Sequence, residues 1–118
     1  MEGNYVMIKI YQIQLTEDQV NLINETGDHN SVPAQKAKLD ASILGKFSAE
    51  NFKFYTEAYH VYSDDLEEAF EATNLWNKQE IVDVIGDRGY SSSTGDIFEK
   101  NGEFFLCANF GFNQVEVA

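Results

Sequence analysis

The sequence predicts an α+β fold in a single domain, with about three helices packed against a mainly antiparallel sheet of about four strands. Three observations predict it. The chain has 118 residues, of which 43% are apolar, and this is enough material for one hydrophobic core. Segments with strand and helix patterns follow one another in the order β-α-α-β-α-loop-β-β. The last two strands form a C-terminal β-hairpin, which is typical of antiparallel sheets.

Residue type and a capping pattern predict the first strand and the first helix. The segment from Tyr5 to Leu15 is rich in β-branched and aromatic residues, and apolar residues occupy both sides of its alternation, so we expect a strand that is buried on both faces. Thr16 stands three residues before Gln19, which is the spacing of a capping box. We therefore expect a short helix from Glu17 to Glu25.

A second helix and a second strand follow. Pro33 has the φ angle that the first residue of a helix requires. The amphipathic pattern after it ends at Gly45, and the expected core face of this helix consists of Ala34, Ala37, Ala41 and Leu44. The segment from Phe52 to Tyr62 contains enough aromatic and β-branched residues to predict a second long strand.

The third helix is predicted between Ser63 and Asn74. Ser63 is a suitable N-cap, and carboxylates in the first turn of a helix are stabilised by the helix dipole. The apolar face of this helix is expected to consist of Leu66, Ala69, Phe70 and Thr73.

An Asn101-Gly102 pair between two apolar segments predicts the C-terminal hairpin, with strands from Ile97 to Lys100 and from Glu103 to Phe110. A two-residue turn fixes the register of the two strands. We expect Lys100 to face Glu103, and Phe98 to face Phe105.

The charge of the chain bears on its partners. Eight basic residues against twenty acidic ones give a net charge of −12, and Arg88 is the only arginine. Direct binding to nucleic acid is not expected on this ground, because phosphate contacts need clustered Lys and Arg. The sequence also contains no membrane-spanning segment and no signal-peptide pattern, so we expect a cytoplasmic protein.

The acidic residues around the third helix form a candidate partner-binding face, which consists of Asp64, Asp65, Glu68 and Glu71. An exposed anionic face can attract a basic protein. Two alternatives stay open. The acidity can serve solubility alone, and paired carboxylates can perform acid/base chemistry or bind Mg²⁺ when a cleft brings them together.

No catalytic residue, metal site or cofactor is predicted. Cys107 lies in an apolar segment without an activating neighbour, so we expect it to pack as a small hydrophobic residue. His29 and His60 have no recognisable nucleophile as partner and are too widely spaced from Cys107 for a typical zinc site.

The loop from Arg88 to Asp96 is the second candidate site, and its candidate residues are Arg88, Ser91, Ser93 and Asp96. Small residues leave backbone amides accessible, so the loop could cradle an anion that Arg88 clamps. The alternative is structural: Ser91 and Ser93 close local turns, Asp96 accepts hydrogen bonds from loop amides, and Arg88 pairs with a carboxylate. The structural alternative is favoured, because the loop lacks the signature of a phosphate-binding loop.

The C-terminal third resembles the YodL-like domain family of phages, plasmids and other mobile elements. The resemblance is carried by the stretch Arg88-Gly89-Tyr90-Ser91-Ser92-Ser93-Thr94-Gly95-Asp96 and by the hairpin that ends in Asn109-Phe110-Gly111-Phe112. The stretch matches every fixed position of the family pattern Arg-Gly-x-Ser-x-Ser-x-Gly-Asp. It departs from the family at Ser92 and Thr94, where apolar residues are usual.

The resemblance extends to the third helix with its following Asn74, and weakly to Tyr11-Gln12 in the first strand. It covers about half of the chain, and residues 28–46 look like a helical insertion. It implies an accessory protein of a mobile element, and it implies no established activity.

Three functions follow as hypotheses. The leading one is a small, non-enzymatic accessory protein of a phage or mobile element that binds and modulates another protein, for example a host nucleic-acid-binding protein. The alternative is an enzyme or anion-binding protein that uses the loop from Arg88 to Asp96. The third is a component of particle assembly.

Overall fold

The computed structural model of the protein describes residues 6–28, 32–85 and 90–117. These ranges contain nine main elements: β1 Ile8–Ile13, α1 Glu17–Thr26, α2 Pro33–Ile43, β2 Tyr55–Val61, α3 Leu66–Asn74, β3 Val82–Val84, β4 Ile97–Lys100, β5 Glu103–Ala108 and β6 Gly111–Val115. Two short 3-10 helices, Ala49–Phe54 and Gln79–Ile81, precede β2 and β3.

The strands form one sheet in the order β3-β2-β1-β4-β5-β6, and all neighbouring pairs are antiparallel. The predicted α+β class with a mainly antiparallel sheet is therefore confirmed. The predicted number of about four strands is too low, because the described ranges contain six. The two strands that the sequence did not predict, β3 and β6, lie at the two edges of the sheet.

Both missed strands have a physical reason to be inconspicuous. β3 has only three residues, and two of them are exposed, so its apolar pattern is weak. β6 begins where the predicted strand from Glu103 to Phe110 was expected to continue. That strand instead ends at Ala108, the chain turns at Asn109 and Phe110, and Gly111 takes a φ of +86° to start β6. Glycine permits this φ because it has no Cβ.

Helices cover both faces of the sheet. On one face, α1 and α2 contribute Ile23, Ala37 and other buried residues that pack with Ile97 and Leu106. On the opposite face, the buried residue Ala69 of α3 packs in a cluster with Phe98 and Cys107. The central strand β1 serves both clusters, since Ile8 and Ile10 belong to one and Ile13 to the other. The expected burial of this strand on both faces is confirmed, although its predicted start, Tyr5, lies outside the described residues.

The first helix agrees closely with its prediction. It runs from Glu17 to Thr26, and both hydrogen bonds of the capping box are present. The backbone amide of Gln19 donates to Thr16 Oγ1 at 3.1 Å, and the backbone amide of Thr16 donates to Gln19 Oε1 at 2.8 Å. Gly27 ends the helix with a φ of +68°.

The second helix begins at Pro33 as predicted. Val32, Ala34, Ala37 and Ala41 are all buried in the core of the α1/α2 face, so the helix within residues 28–46 is an integral part of that core. One expected core residue is wrong: Leu44 is 59% exposed. The helix ends at Ile43, and Leu44 is its C-cap: its backbone amide still donates to the Asp40 carbonyl, but its side chain lies at the end of the helix, beyond the buried residues.

Two boundaries near β2 differ from the sequence prediction. The predicted strand from Phe52 starts only at Tyr55, because residues up to Phe54 form a 3-10 helix. The N-cap of α3 is Asp65, whose side chain accepts a 2.9 Å hydrogen bond from the Glu67 amide, and the predicted N-cap Ser63 is wrong.

The C-terminal hairpin is confirmed in its first strand, its turn and its register, whereas its second strand is two residues shorter than predicted. Lys100 faces Glu103, and Phe98 faces Phe105. Asn101 and Gly102 both have positive φ angles, of 53° and 79°, as a two-residue hairpin turn requires.

Candidate functional site

The structure describes three of the four candidate residues of the loop and does not bring their side chains into one site. Arg88 lies outside the described residues. Ser91 and Ser93 are exposed at the surface, whereas Asp96 is only 8% exposed. These side chains therefore do not share one open site.

Asp96 is held by two hydrogen bonds. Its Oδ2 atom accepts from the Ser93 amide at 3.1 Å and from Gln12 Nε2 at 3.0 Å. Burial raises the pKa of the Asp96 carboxyl to about 7, and this effect outweighs the two hydrogen bonds and the charge of Lys38, which lower it. The expectation that Asp96 accepts from a loop amide is confirmed for Ser93.

Gln12 is the principal residue that sequence reasoning missed at this site. Besides its bond to Asp96, its side-chain amide donates to the Tyr90 carbonyl at 2.8 Å and accepts from the Tyr90 amide at 3.0 Å. It thus pairs with the backbone of Tyr90 as a neighbouring strand would. Two signals in the sequence pointed to it: the resemblance at Tyr11-Gln12, and a polar residue between the apolar residues Tyr11 and Ile13, because a buried polar side chain needs partners.

The loop is also bound to the end of α3. The Asn74 side chain donates to the Ser92 carbonyl at 2.6 Å, the Ser92 amide donates to the Thr73 carbonyl at 3.2 Å, and the Ser92 and Thr73 hydroxyls contact each other. Trp76 Nε1 donates to Ser91 Oγ at 3.3 Å. These polar partners satisfy Ser92, which is completely buried.

Most amides of the described loop are engaged within the protein. Hydrogen bonds to internal acceptors are made by the amides of Tyr90, Ser92, Ser93, Gly95 and Asp96. An anion cradle depends on amides that point outward without an acceptor. The geometry therefore supports a structural role for the loop over an anion cradle: the Asp96 part of the structural alternative is confirmed, and the loop fastens β1, α3 and β5 together.

Lys78 contacts two carboxylates of the acidic face. Glu68 accepts a 2.6 Å hydrogen bond from the Ser63 hydroxyl and a 3.0 Å bond from Lys78 Nζ, and these contacts, the first being the stronger, lower its pKa. Glu71 lies 3.7 Å from the same amine. The helix carries no base of its own, but Lys78 in the following segment offsets part of its charge.

The remaining carboxylates of this region are exposed. Asp64 and Asp65 lie before the first turn of α3 rather than within it, and Glu67 lies in that turn. Asp65 has the structural role of N-cap. The face is therefore mixed: Asp65 and Glu68 contribute to the fold, while Asp64, Glu67 and Glu71 present charge to the solvent.

The other reactive or metal-ligating side chains do not form a site in the described part of the chain. Cys107 is buried as expected, and burial, followed by the charges of Asp96 and Glu67, raises the pKa of its thiol to about 12. No cluster of His, Cys, Asp and Glu in the described ranges could hold a metal ion. His60 contacts Glu57, and His29 lies outside the described residues.

Known proteins give no further assignment. No helix within residues 6–28, 32–85 and 90–117 is long and apolar enough to cross a membrane. No family model, no curated protein and no solved structure matches the chain.

Proposed function

We propose that this protein is a small acidic accessory protein that acts without catalysis, by binding another protein through the exposed carboxylates of the α3 face. The observation that carries the proposal is the exposure of Asp64, Glu67 and Glu71 in a chain with a net charge of −12. Exposed charge of one sign accelerates association with a surface of the opposite sign.

The state of the loop supports a binding role over the alternative of an enzyme or anion-binding protein. Asp96 has a pKa suited to acid/base chemistry near neutral pH. However, it is enclosed and bonded to Gln12 and Ser93, so a substrate has no access to it in this arrangement. The exposed carboxylates of α3 have the accessibility that Asp96 lacks.

The proposed setting in a phage or other mobile element rests on the YodL-like resemblance. The segments that carry the resemblance lie in contact with one another: Gln12 bonds to Tyr90 and Asp96, and Asn74 bonds to Ser92. One buried polar network thus joins those segments, and this gives them a shared structural reason to occur together.

The proposed partner is a protein with a basic surface, for example one that normally binds nucleic acid. Lys78 offsets Glu68 and part of the charge of Glu71, and Lys100 Nζ donates to the backbone carbonyl of Asp64. The strongest attraction is therefore expected at Glu67. Association should slow as salt rises, since exposed charges are screened over about 8 Å at physiological ionic strength.

Affinity capture from a bacterial lysate with matched charge variants tests the proposal. The test variant combines Asp64→Asn, Glu67→Gln and Glu71→Gln. Asp65 is left unchanged because it caps α3, and Glu68 is left unchanged because it bonds to Ser63 and Lys78. The control variant removes the same number of charges from α1 through Glu17→Gln, Asp18→Asn and Glu25→Gln, all of which are exposed.

We expect the parent and the α1 control to enrich the same basic proteins, and the α3 variant to lose them. The association rate of a purified partner should fall steeply with salt for the parent and less steeply for the α3 variant. A partner whose binding responds to neither salt nor the α3 changes would refute electrostatic recognition by this face.

A further inference from the structure

Three large apolar side chains are exposed together at one end of the sheet. Phe110 in the β5–β6 turn is 97% exposed, and Ile43 and Leu44 at the end of α2 are 68% and 59% exposed. All three line one depression of about 310 Å³. A cluster of exposed apolar side chains is typical of interaction sites, whereas single exposed residues are ordinary.

This depression adjoins two others, with which it is linked through shared lining residues. A second one, of about 190 Å³, shares Thr94, Ala108 and Asn109 with it and reaches Phe70 on α3. A third, of about 360 Å³, shares Phe70 and Glu67 with the second and is lined further by the carboxylates of α3 and by Lys78. We call these three depressions the trough. It has an apolar end at Phe110 and an acidic end on α3.

We propose that the trough binds an amphipathic, basic segment of the partner protein, with apolar side chains of the segment against Phe110, Ile43 and Leu44 and its Lys or Arg side chains against Glu67 and Glu71. This inference rests on the proposed function and specifies how the partner is recognised. Charge complementarity selects the occupant, because an apolar segment without basic residues would leave the acidic end unmatched.

The order of the two ends along the trough adds a constraint on the segment. Phe70, which is half-buried, lies between the acidic residues and the apolar end. A bound segment would therefore place its positive charges at one end and its apolar residues towards the other. Burial of Phe110 would supply most of the affinity, since aromatic residues dominate binding energy at protein interfaces.

A second copy of this chain is a less suitable occupant. Each copy carries a net charge of −12, so the acidic end of the trough would face another acidic surface. Like charges brought together at an interface oppose association.

An NMR titration of the isotope-labelled protein tests the inference. The probe is a synthetic 18-residue peptide with leucines at helical spacing towards one end and lysines towards the other. We expect its largest amide shifts at residues 41–45, 67–71, 94 and 108–113. Two comparison peptides have every leucine replaced by glutamine or every lysine replaced by glutamate.

Matched variants separate the trough from the rest of the surface. Phe110→Ser should weaken binding of the leucine-lysine peptide by about tenfold, and Glu67→Gln should weaken it less while reducing its salt dependence. The control for Phe110 is Val84→Ser, because Val84 is 56% exposed on β3 at the opposite edge of the sheet. The control for Glu67 is Glu25→Gln on α1. Circular dichroism checks that every variant is folded.

The outcomes distinguish this inference from the proposed function. If the glutamine-lysine peptide binds as tightly as the leucine-lysine peptide and Phe110→Ser has no effect, acidic recognition stands and the apolar end is not part of the site. If neither lysine peptide binds at low salt, both the trough and the proposed acidic recognition are refuted. If sedimentation shows a dimer that Phe110→Ser abolishes, the occupant is a second copy and the inference is wrong.

Discussion

Gln12 Nε2 donates a 3.0 Å hydrogen bond to the buried Oδ2 atom of Asp96, across 84 positions of the sequence. The contact joins the central strand β1 to the residue immediately before β4. It places a carboxyl group where water has little access, so its protonation is coupled to the stability of the fold.

The first prediction concerns this coupling. Burial raises the pKa of Asp96 in the folded state from an ordinary value of 3.8 to about 7. The contribution of the protonated Asp96 carboxyl to the free energy of unfolding is therefore fully present below about pH 4, and it is lost as the pH rises through 7. Between pH 5 and pH 8 the loss should be on the order of 2–3 kcal/mol. Asp96→Asn, which can still accept both hydrogen bonds, should remove this dependence.

Urea unfolding at pH 5 and pH 8 measures this loss in the free energy of unfolding. The exposed change Glu25→Gln is the control and should keep the pH dependence of the parent. Equal losses of stability in Asp96→Asn and the parent would show that the Asp96 carboxyl does not control this pH range.

The second prediction concerns the contact between the loop and α2. Gly95 has a φ of +96°, and a Cβ on it would lie 2.9 Å from the backbone nitrogen of Ser42. Gly95→Ala therefore adds a backbone clash to left-handed strain. Gly27→Ala is the matched control, because Gly27 has a φ of +68° and no described atom within 4 Å of the added carbon. We expect the control to cost about 1–2 kcal/mol and Gly95→Ala to cost clearly more. Thermal unfolding compares them, and equal melting temperatures would contradict the close approach.

The third prediction concerns the hairpin turn. Gly102 has a φ of +79° and open space around it, so only backbone strain opposes a side chain there. Gly102→Val should destabilise the protein by at least about 1–2 kcal/mol, because a β-branched residue is strongly disfavoured at this φ. Gly102→Asn is the control and should cost less, since asparagine tolerates the left-handed region. A valine variant with the same melting temperature as the parent would be inconsistent with this turn.

The fourth prediction separates two neighbouring glutamates of α3. Glu68 bonds to Ser63 and Lys78, and these contacts lower its pKa. Its contribution to stability is present above its ordinary pKa of 4.5 and is lost as the pH falls through the lowered value. Glu68→Gln should therefore lower the melting temperature at pH 7 more than Glu67→Gln does, and the difference should shrink below about pH 4. A difference that is unchanged at low pH would argue against the charged contact.

The fifth prediction concerns nucleic acid. With eight basic residues against twenty acidic ones, the protein should show no measurable binding to duplex or single-stranded DNA at physiological salt. Fluorescence anisotropy with labelled oligonucleotides measures this, and a lysine-rich peptide of the same length serves as a positive control. Saturable micromolar binding would contradict the prediction.

Local patterns in the sequence determined several elements of the fold. The capping box at Thr16 and Gln19, the start of α2 at Pro33 and the register of the Asn101-Gly102 hairpin each depend on residues a few positions apart. Such short-range signals act through backbone geometry and neighbouring hydrogen bonds, which the sequence displays directly. The edge strands β3 and β6 lack an equally strong local signal, since Val84, Gly111 and Asn113 are exposed.

The candidate sites depended more on contacts between distant segments. The sequence identified Asp96 as an acceptor of loop amides, but Gln12 comes to it from 84 residues away. It identified the acidic residues of α3, but only the fold brings Lys78 against Glu68 and Glu71. It placed Leu44 in the core, whereas the end of α2 exposes Leu44 beside Phe110. Charge, local elements and the burial of apolar residues such as Cys107 follow from the order of residues. Which distant polar groups are buried or paired follows only from the tertiary fold, because those contacts join residues that lie far apart in the sequence.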